Sequence, residues 1–245
     1  KSLIQSGMDT VRLNFSHMNE ESALILLEAI QKVREEMMIP ISILLDTKGP
    51  EVRVYGFSEK LLLRKGDKIN IRSVSDEMLN TISDDEKTLF TNLPDIGKLV
   101  CLKQKVLLMD GFLEGIVVDK NSDNEIIVEL FNNGNLRPKA HLTIPGLSYP
   151  LPFLSEKDKK DIKFAIDNEL EYIALSFVRN KEDIITVKKY IHSINSESTT
   201  KIISKIENKE AVENIDDIIE YSDGIMVARG DLGVELDLEE VPIVQ

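Results

Sequence analysis

What most restricts the fold of this chain is a change of rhythm along it. Helix and strand patterns alternate to about Pro50, helical periodicity disappears from Val52 to about Pro152, and the alternation then resumes. In the first stretch, Thr10-Val-Arg-Leu-Asn-Phe15 reads as a strand. Ser16 or Asn19 can cap a helix from about Glu20 to Met37, whose Ala23, Leu27, Ile30 and Val33 form an apolar stripe. Pro40 stops it, and Ile41-Ser-Ile-Leu-Leu45 makes a second strand that runs into Asp46-Thr-Lys-Gly-Pro50. Beyond Pro152, Ser155-Glu-Lys-Asp158 has the form of a capping box. Strands are expected at Tyr172–Phe177, Lys201–Glu207 and Gly224–Ala228, with helices at Lys181–Ser193 and Asn208–Glu220 between them.

The middle stretch carries short apolar runs at Leu61–Leu63, Lys68–Ile71, Val106–Met109, Gly115–Val118 and Glu125–Leu130. Polar turns such as Arg64-Lys-Gly-Asp67, Asn121-Ser-Asp-Asn124 and Asn132-Asn-Gly-Asn135 separate them, the texture of a small all-β barrel. Repeated β/α units on both sides imply a parallel sheet, whose working face lies at the carboxyl ends of its strands. Polar groups gather at those ends: Asn14, Ser16, Asp46 to Lys48, Ser176, Lys205, Glu207 and Arg229 to Asp231. An open doubly wound sheet would use the same ends, but no GxGxxG turn is present. The expected fold is a partial TIM-type β/α barrel with five strands in this chain and an inserted all-β barrel cap domain. The barrel takes residues 1–51 and 153–245, the second part incomplete, and the cap takes 52–152.

Composition narrows the function classes. A net charge of −13 argues against nonspecific nucleic-acid binding, which rests on neutralising phosphates. A phosphorylated small ligand would need a local basic cluster, for which Arg12, Lys48, Arg53, Lys157 and Lys205 stand at strand ends or helix starts. Scattered surface charge is the alternative for each. No apolar stretch is long enough for a membrane span, and no signal-peptide pattern opens the chain. Cys101 is the single cysteine, which fits a reducing interior and makes the cytoplasm the expected location. The chain starts at Lys1 and stops at Gln245 without a terminal signal, so a fragment of a longer protein is expected.

Two constellations suggest ion chemistry. Lys205 and Glu207, two apart on a strand, share a face, and Asp231 sits in a glycine-flanked turn after the next strand. Carboxylates there suit a hard divalent cation that bridges to phosphate. They equally suit helix caps or an ion pair to Lys205. Asn14, Ser16, Asp46 and Thr47 offer four oxygens from adjacent strands, enough for a large, weakly charged cation, or else turn formers. His17 can serve as a base, a ligand or a loop hydrogen bonder, and His141 and His192 have no supporting context.

Six segments in order resemble the pyruvate kinase family: Val11-Arg-Leu-Asn-Phe-Ser-His17, Leu45-Asp-Thr-Lys-Gly-Pro-Glu-Val-Arg53, Leu154-Ser-Glu-Lys-Asp158, Ala174-Leu-Ser-Phe-Val-Arg179, Lys201-Ile-Ile-Ser-Lys-Ile-Glu-Asn208 and Asp223-Gly-Ile-Met-Val-Ala-Arg-Gly-Asp-Leu-Gly-Val-Glu235. The resemblance spans nearly the whole chain. It implies a β/α barrel that leaves after its third strand to build a cap, and transfer of the phosphoryl group of phosphoenolpyruvate to ADP, giving pyruvate and ATP. It implies Lys205 as the catalytic cation, and substrate contacts from Arg12, Lys205, Gly230 and Asp231. Glu207 and Asp231 would hold Mg²⁺ (or Mn²⁺), and Asn14, Ser16, Asp46 and Thr47 would hold K⁺. Asn14, Phe15, Ser16, His17, Arg53 and Lys157 match nucleotide positions, with the cap closing over the nucleotide.

Glu51 stands where a glutamate in that family accompanies potassium dependence, so a K⁺ requirement is implied. Departures include Met18 in place of the usual glycine, a single aspartate in Met109-Asp-Gly-Phe112, and the unusual Asn135-Leu-Arg-Pro-Lys-Ala-His141. The family's first and last two barrel strands, substrate loop and C-terminal domain have no counterpart in this sequence. The chain alone is therefore expected to be inactive, within a parent that is a homotetramer like its family. The competing chemistry is a Mg²⁺-dependent aldolase or lyase barrel, which the cap and the Asp-Thr-Lys-Gly-Pro segment disfavour.

Overall fold

The structure is a computed structural model that describes residues 1–79 and 88–245. It divides into two compact units, one of Lys1–Pro50 with Pro152–Ala228 and one of Glu51–Leu151 with Arg229–Gln245. In chain order the first unit contributes β1 (Thr10–Asn14) and β2 (Ser42–Asp46). The second holds β3 (Val54–Tyr55), β4 (Leu61–Leu63), β5 (Lys68–Ser73), β6 (Thr88–Thr91), β7 (Lys105–Leu108), β8 (Leu113–Ser122), β9 (Glu125–Leu130), β10 (Gly134–Leu136) and β11 (Leu142–Thr143). The first unit resumes with β12 (Tyr172–Leu175), β13 (Lys201–Ile206) and β14 (Gly224–Val227).

Those five strands of the first unit form one all-parallel sheet in the order β1-β2-β12-β13-β14. Register puts Leu13 beside Leu45, Leu45 beside Ile173 and Ile173 beside Ile202. With the side-chain period of two, this row faces the covering helices and packs with Ile162, Ala165, Ile184, Val187 and Ile218 into one core. The helix Glu20–Met37 starts at Asn19, whose side chain accepts from Ser22 N–H, so Asn19 rather than Ser16 is the cap. Ser155 and Asp158 form the expected capping box on helix Glu156–Asp167. The helix expected over 208–220 is instead two, Lys209–Glu213 and Ile215–Tyr221. Asn214 breaks it, because its side-chain amide donates to Arg179 O and Glu210 O, competing with the helical ladder.

In the second unit seven strands run in the order β11-β7-β8-β9-β5-β6-β3, antiparallel except for β5 with β6, and β10 pairs with β4. An antiparallel bridge joins Arg53 to His141, beside the two edge strands. Val54 N–H donates to Ala140 O and Leu142 N–H to Val52 O, each at 2.9 Å. These bonds close the sheet on itself around Val54, Ile71, Leu89, Leu108, Ile126, Val128 and Leu136. Two short helices, Asp76–Leu79 and Ile96–Leu99, interrupt the strands. Gly146 N–H donates to Glu235 Oε2 at 3.1 Å, tying the Arg229–Gln245 segment into this unit. Among the described residues no helix is long and apolar enough to cross a membrane.

Candidate active site at the carboxyl ends of the parallel strands

Because the odd row of β1, β2 and β12 faces the helices, the alternate row faces the other side of the sheet. That row carries Arg12 and Asn14, Asp46, Ser176 just beyond β12, and on β13 Lys205, followed by Glu207. Asn14 lies directly beside Asp46. Lys205 Nζ donates to Glu207 Oε1 at 2.7 Å and Ser176 Oγ at 2.8 Å, and lies 3.2 Å from Asp46 Oδ1. Its three protons thus have three acceptors from three strands. Ser176 Oγ lies 2.8 Å from Thr47 O and 3.1 Å from Asp46 Oδ1. Arg12 grips the other oxygen of Asp46 through Nε at 2.6 Å and a terminal nitrogen at 2.5 Å.

The cluster is dry. The side chains of Lys205, Glu207 and Asp46 are 9%, 1% and 1% exposed, whereas Arg12 is half open at 54%. Burial pulls the Lys205 ammonium down, but Glu207 and Asp46 outweigh it and hold its pKa above the ordinary lysine value. It therefore stays charged across neutral pH. Glu207 Oε2 accepts the N–H of Phe177 at 2.7 Å, and Phe177 holds the left-handed conformation at φ 57°. A bulky residue rarely adopts that backbone, which here aims an amide at the carboxylate. Gly49 is also left-handed at φ +70°, and a Cβ there would stand 2.7 Å from Ser176 O. Only glycine lets this loop approach so closely while its N–H reaches Asp158 Oδ1 at 3.1 Å.

Residues 1–245 match the family model described as pyruvate kinase, barrel domain. The chain belongs to the pyruvate kinase family. It is 37% identical to the pyruvate kinase of Staphylococcus haemolyticus (strain JCSC1435), covering 100% of this chain and 41% of that one. It is 37% identical to the pyruvate kinase of Chlamydia trachomatis serovar D, covering 100% and 49%. A crystal structure of a pyruvate kinase from Cryptosporidium parvum superposes with a TM-score of 0.88 at 34% identity, over 99% of this chain and 50% of that chain. The chain thus spans about half or less of the length of these relatives. The fold is accordingly a partial β/α barrel with an inserted all-β barrel cap, as its sequence suggests.

Within this pyruvate kinase family chain the remaining candidate residues are placed as follows. Asn14 Oδ1 accepts from Ser16 N–H at 3.0 Å, and Thr47 Oγ1 from Ser176 N–H at 3.2 Å. Phe15 turns its ring into the core against Phe164 and gives its N–H to Asp46 O, so neither its ring nor its N–H is open to a nucleotide. Met18 packs against that core. Lys157 pairs with Asp161 at 2.6 Å and lies 5.6 Å from the Phe15 ring centre; burial raises the Asp161 pKa against that pairing. His17 is exposed in the turn after β1. Arg53 belongs to the second unit, where it pairs with Glu51. Gly230 and Asp231 lie in the first turn of helix Arg229–Glu235 rather than in an open turn, a position where an aspartate complements the helix dipole.

The donor chemistry suits both family cations. Asn14, Ser16, Asp46 and Thr47 supply oxygens at the ends of two paired strands, the right chemistry for a weakly charged ion. Glu207 is a buried carboxylate, the oxygen ligand type that a hard Mg²⁺ ion prefers. Among the described residues no group of three or more His, Cys, Asp or Glu forms a metal cage. A divalent ion here would complete its shell with substrate and water, as Mg²⁺ commonly does. Sequence reasoning noted Ser176 as polar but missed its bridging role, and it placed Phe177 at the end of the strand, which instead stops at Leu175 and leaves Phe177 in a left-handed turn. The only local signal was a polar residue following the apolar Tyr172–Leu175 run.

Proposed function

We propose that this chain is the part of a pyruvate kinase that transfers the phosphoryl group of phosphoenolpyruvate to ADP, giving pyruvate and ATP. The observation that carries this reading is the buried Lys205 ammonium, held by Glu207, Ser176 and Asp46 at the carboxyl ends of three adjacent strands. Phosphoryl transfer needs positioning and neutralisation of spread negative charge more than covalent help. A lysine that cannot lose its proton at neutral pH provides both. Its longest contact, to Asp46, is the one that an oxygen of the transferring group would replace. The same ammonium then faces the enolate oxygen as the phosphorus–oxygen bond breaks and a β-phosphate oxygen of ADP takes the phosphoryl group.

Arg12 is assigned to the phosphoryl oxygens, reaching from its half-open position beside Asp46, and the Gly230–Asp231 backbone to the substrate carboxylate. Glu207 and Asp231 are assigned to Mg²⁺ (or Mn²⁺), and Asn14, Ser16, Asp46 and Thr47 to K⁺; when bound, these cations add positive charge against the phosphoryl and enolate oxygens. Asn14, Ser16, His17, Arg53 and Lys157 are assigned to the nucleotide side, Phe15 only through its carbonyl. The parent is read as a cytoplasmic homotetramer, with residues 52–152 as its cap.

The test is lactate-dehydrogenase-coupled turnover of phosphoenolpyruvate and ADP by the full-length protein, with and without K⁺ and Mg²⁺. Turnover that requires both ions is expected. Full activity in tetramethylammonium buffer would refute the K⁺ assignment, and carbon–carbon cleavage without ATP formation would refute the kinase reading.

A further inference from the structure

Outside the strand-end site, one ionic cluster lies at the seam where the barrel of the second unit closes. There the His141 ring sits between two carboxylates, with Nδ1 2.8 Å from Asp110 Oδ1 and Nε2 3.3 Å from Glu51 Oε1. Another opens the helix Glu156–Asp167 of the first unit, and it stands among residues assigned to the nucleotide. Lys157 Nζ donates to Asp161 Oδ2 at 2.6 Å, one helical turn further on. The same ammonium lies 5.6 Å from the centre of the Phe15 ring, so it is held from a second side. Phe15 directly follows β1 between Asn14 and Ser16, and its buried ring is itself fixed against Phe164.

Neither partner is where helix stability alone would put it. Lys157 is the second residue after the Ser155 cap, and a cation in the first turn opposes the helix dipole. Lysine ahead of the acid is also the weaker order for a pair at this spacing. The Asp161 side chain is 6% exposed, a costly place for a carboxylate, whereas Lys157 keeps 43% of its side chain in solvent. Burial pushes the Asp161 pKa up, and Asp158 and Glu20 push the same way against Lys157. Asp158, the neighbouring carboxylate of this helix, is committed to Ser155 and to Gly49 N–H. A buried carboxylate thus orients a half-open ammonium at a cost to the helix. Local rules broken together in this way are expected where a side chain serves a ligand.

We propose that Asp161 is a positioning residue for nucleotide binding: with the Phe15 ring, its buried carboxylate fixes the Lys157 ammonium at the end of β1, where it meets a phosphate of a nucleoside diphosphate. An ammonium has three N–H groups, and the bond to Asp161 uses one. This rests on the reading of Lys157 as a nucleotide-side residue. Asp161 acts through Lys157 alone, so its removal weakens nucleoside-diphosphate binding only while Lys157 is present. It takes no part in the chemistry at Lys205 or in holding phosphoenolpyruvate.

The experiment is a double-variant cycle in the full-length protein, with ADP affinity by calorimetry and KM for each substrate by coupled assay. Asp161→Ala should weaken ADP binding about three- to tenfold, the scale of coupling between contacting residues. Its kcat and its KM for phosphoenolpyruvate should stay within about twofold of wild type. Asp161→Asn keeps an oxygen acceptor and nearly the same volume, and should fall between wild type and Asp161→Ala. If thermal unfolding shows that Asp161→Ala does not fold, the cycle is run with Asp161→Asn. Lys157→Ala should weaken ADP binding at least as much as Asp161→Ala, and combining the two should change nothing further. A role in packing alone would add its own loss in the double variant and would raise both KM values; either result overturns the proposal. So does an Asp161 variant that binds ADP more tightly, the behaviour of a carboxylate that merely competes with phosphate. An ADP affinity untouched by Lys157→Ala overturns the reading of Lys157 together with this proposal. A loss in Lys157→Ala with none in the Asp161 variants overturns this proposal alone.

Discussion

The Lys205 cluster and the His141 cluster are built from the same parts, two carboxylates and a shared cation, yet they behave differently with pH. Around Lys205 the carboxylates are 1% exposed and the cation is a lysine whose pKa is held above its ordinary value, so charge is fixed throughout the physiological range. Around His141 one carboxylate is 59% exposed, and the cation is an imidazolium that Glu51 holds above its ordinary pKa against the opposing effect of burial. The difference follows from where each is built. Parallel strand ends bring two carboxylates and a serine hydroxyl from three strands onto one lysine away from water, while a barrel seam leaves one side open. A permanent charge suits chemistry on a phosphoryl group.

The sharpest way to break this contrast is Lys205→Met in the full-length protein. Turnover should fall by at least about 10²–10³-fold, and stability should fall by about 3–5 kcal/mol because Asp46 and Glu207 lose their shared partner in a dry site. Coupled assay and urea unfolding measure both, and near-wild-type turnover would remove Lys205 from the mechanism. Gly49→Ala should cost about 1–3 kcal/mol of stability, since its Cβ meets Ser176 O at 2.7 Å on a left-handed backbone. Ser176→Ala, also worth about 1–3 kcal/mol, should lower kcat more than it changes KM for ADP, because it frees Lys205 without touching the nucleotide side.

The smallest effect is expected at the seam. Glu51 is depressed, because His141 and Arg53 outweigh the upward push of burial, so its stabilisation is present above 4.5 and lost as pH falls through its folded value. His141 is raised, so its stabilisation is complete below 6.5 and lost as pH rises through its folded value. Thermal stability lost in His141→Gln, under about 1 kcal/mol, should therefore be greatest between pH 4.5 and 6.5. A Lys205 substitution should show no such window below pH 9. Equal pH dependence in the two variants would erase the distinction drawn between the clusters.

Much of this molecule was legible in its sequence because the signals are local. The Glu20–Met37 stripe, the Ser155 capping box and the alternation of β13, which places Lys205 and Glu207 on one face, need only neighbouring residues and a known period. Asn214 escaped because its helix-breaking bond goes to Arg179 O as well as to its own turn, and Arg179 lies in another β/α unit. Short strands such as Val54–Tyr55 and Leu142–Thr143 escaped because two residues carry no period at all.

By itself, then, the sequence determined the longer strands and helices, the interruption by a β domain, the family, and the chemistry available at each strand end. Only the tertiary structure decided that Ser176 sits between Lys205 and Thr47, that Phe177 turns left-handed to meet Glu207, and that His141 spans Glu51 and Asp110. Each of those contacts joins residues about thirty to a hundred and thirty positions apart. Their meeting depends on strand order and register, which are set by packing the whole sheet and leave no mark on the residues nearby.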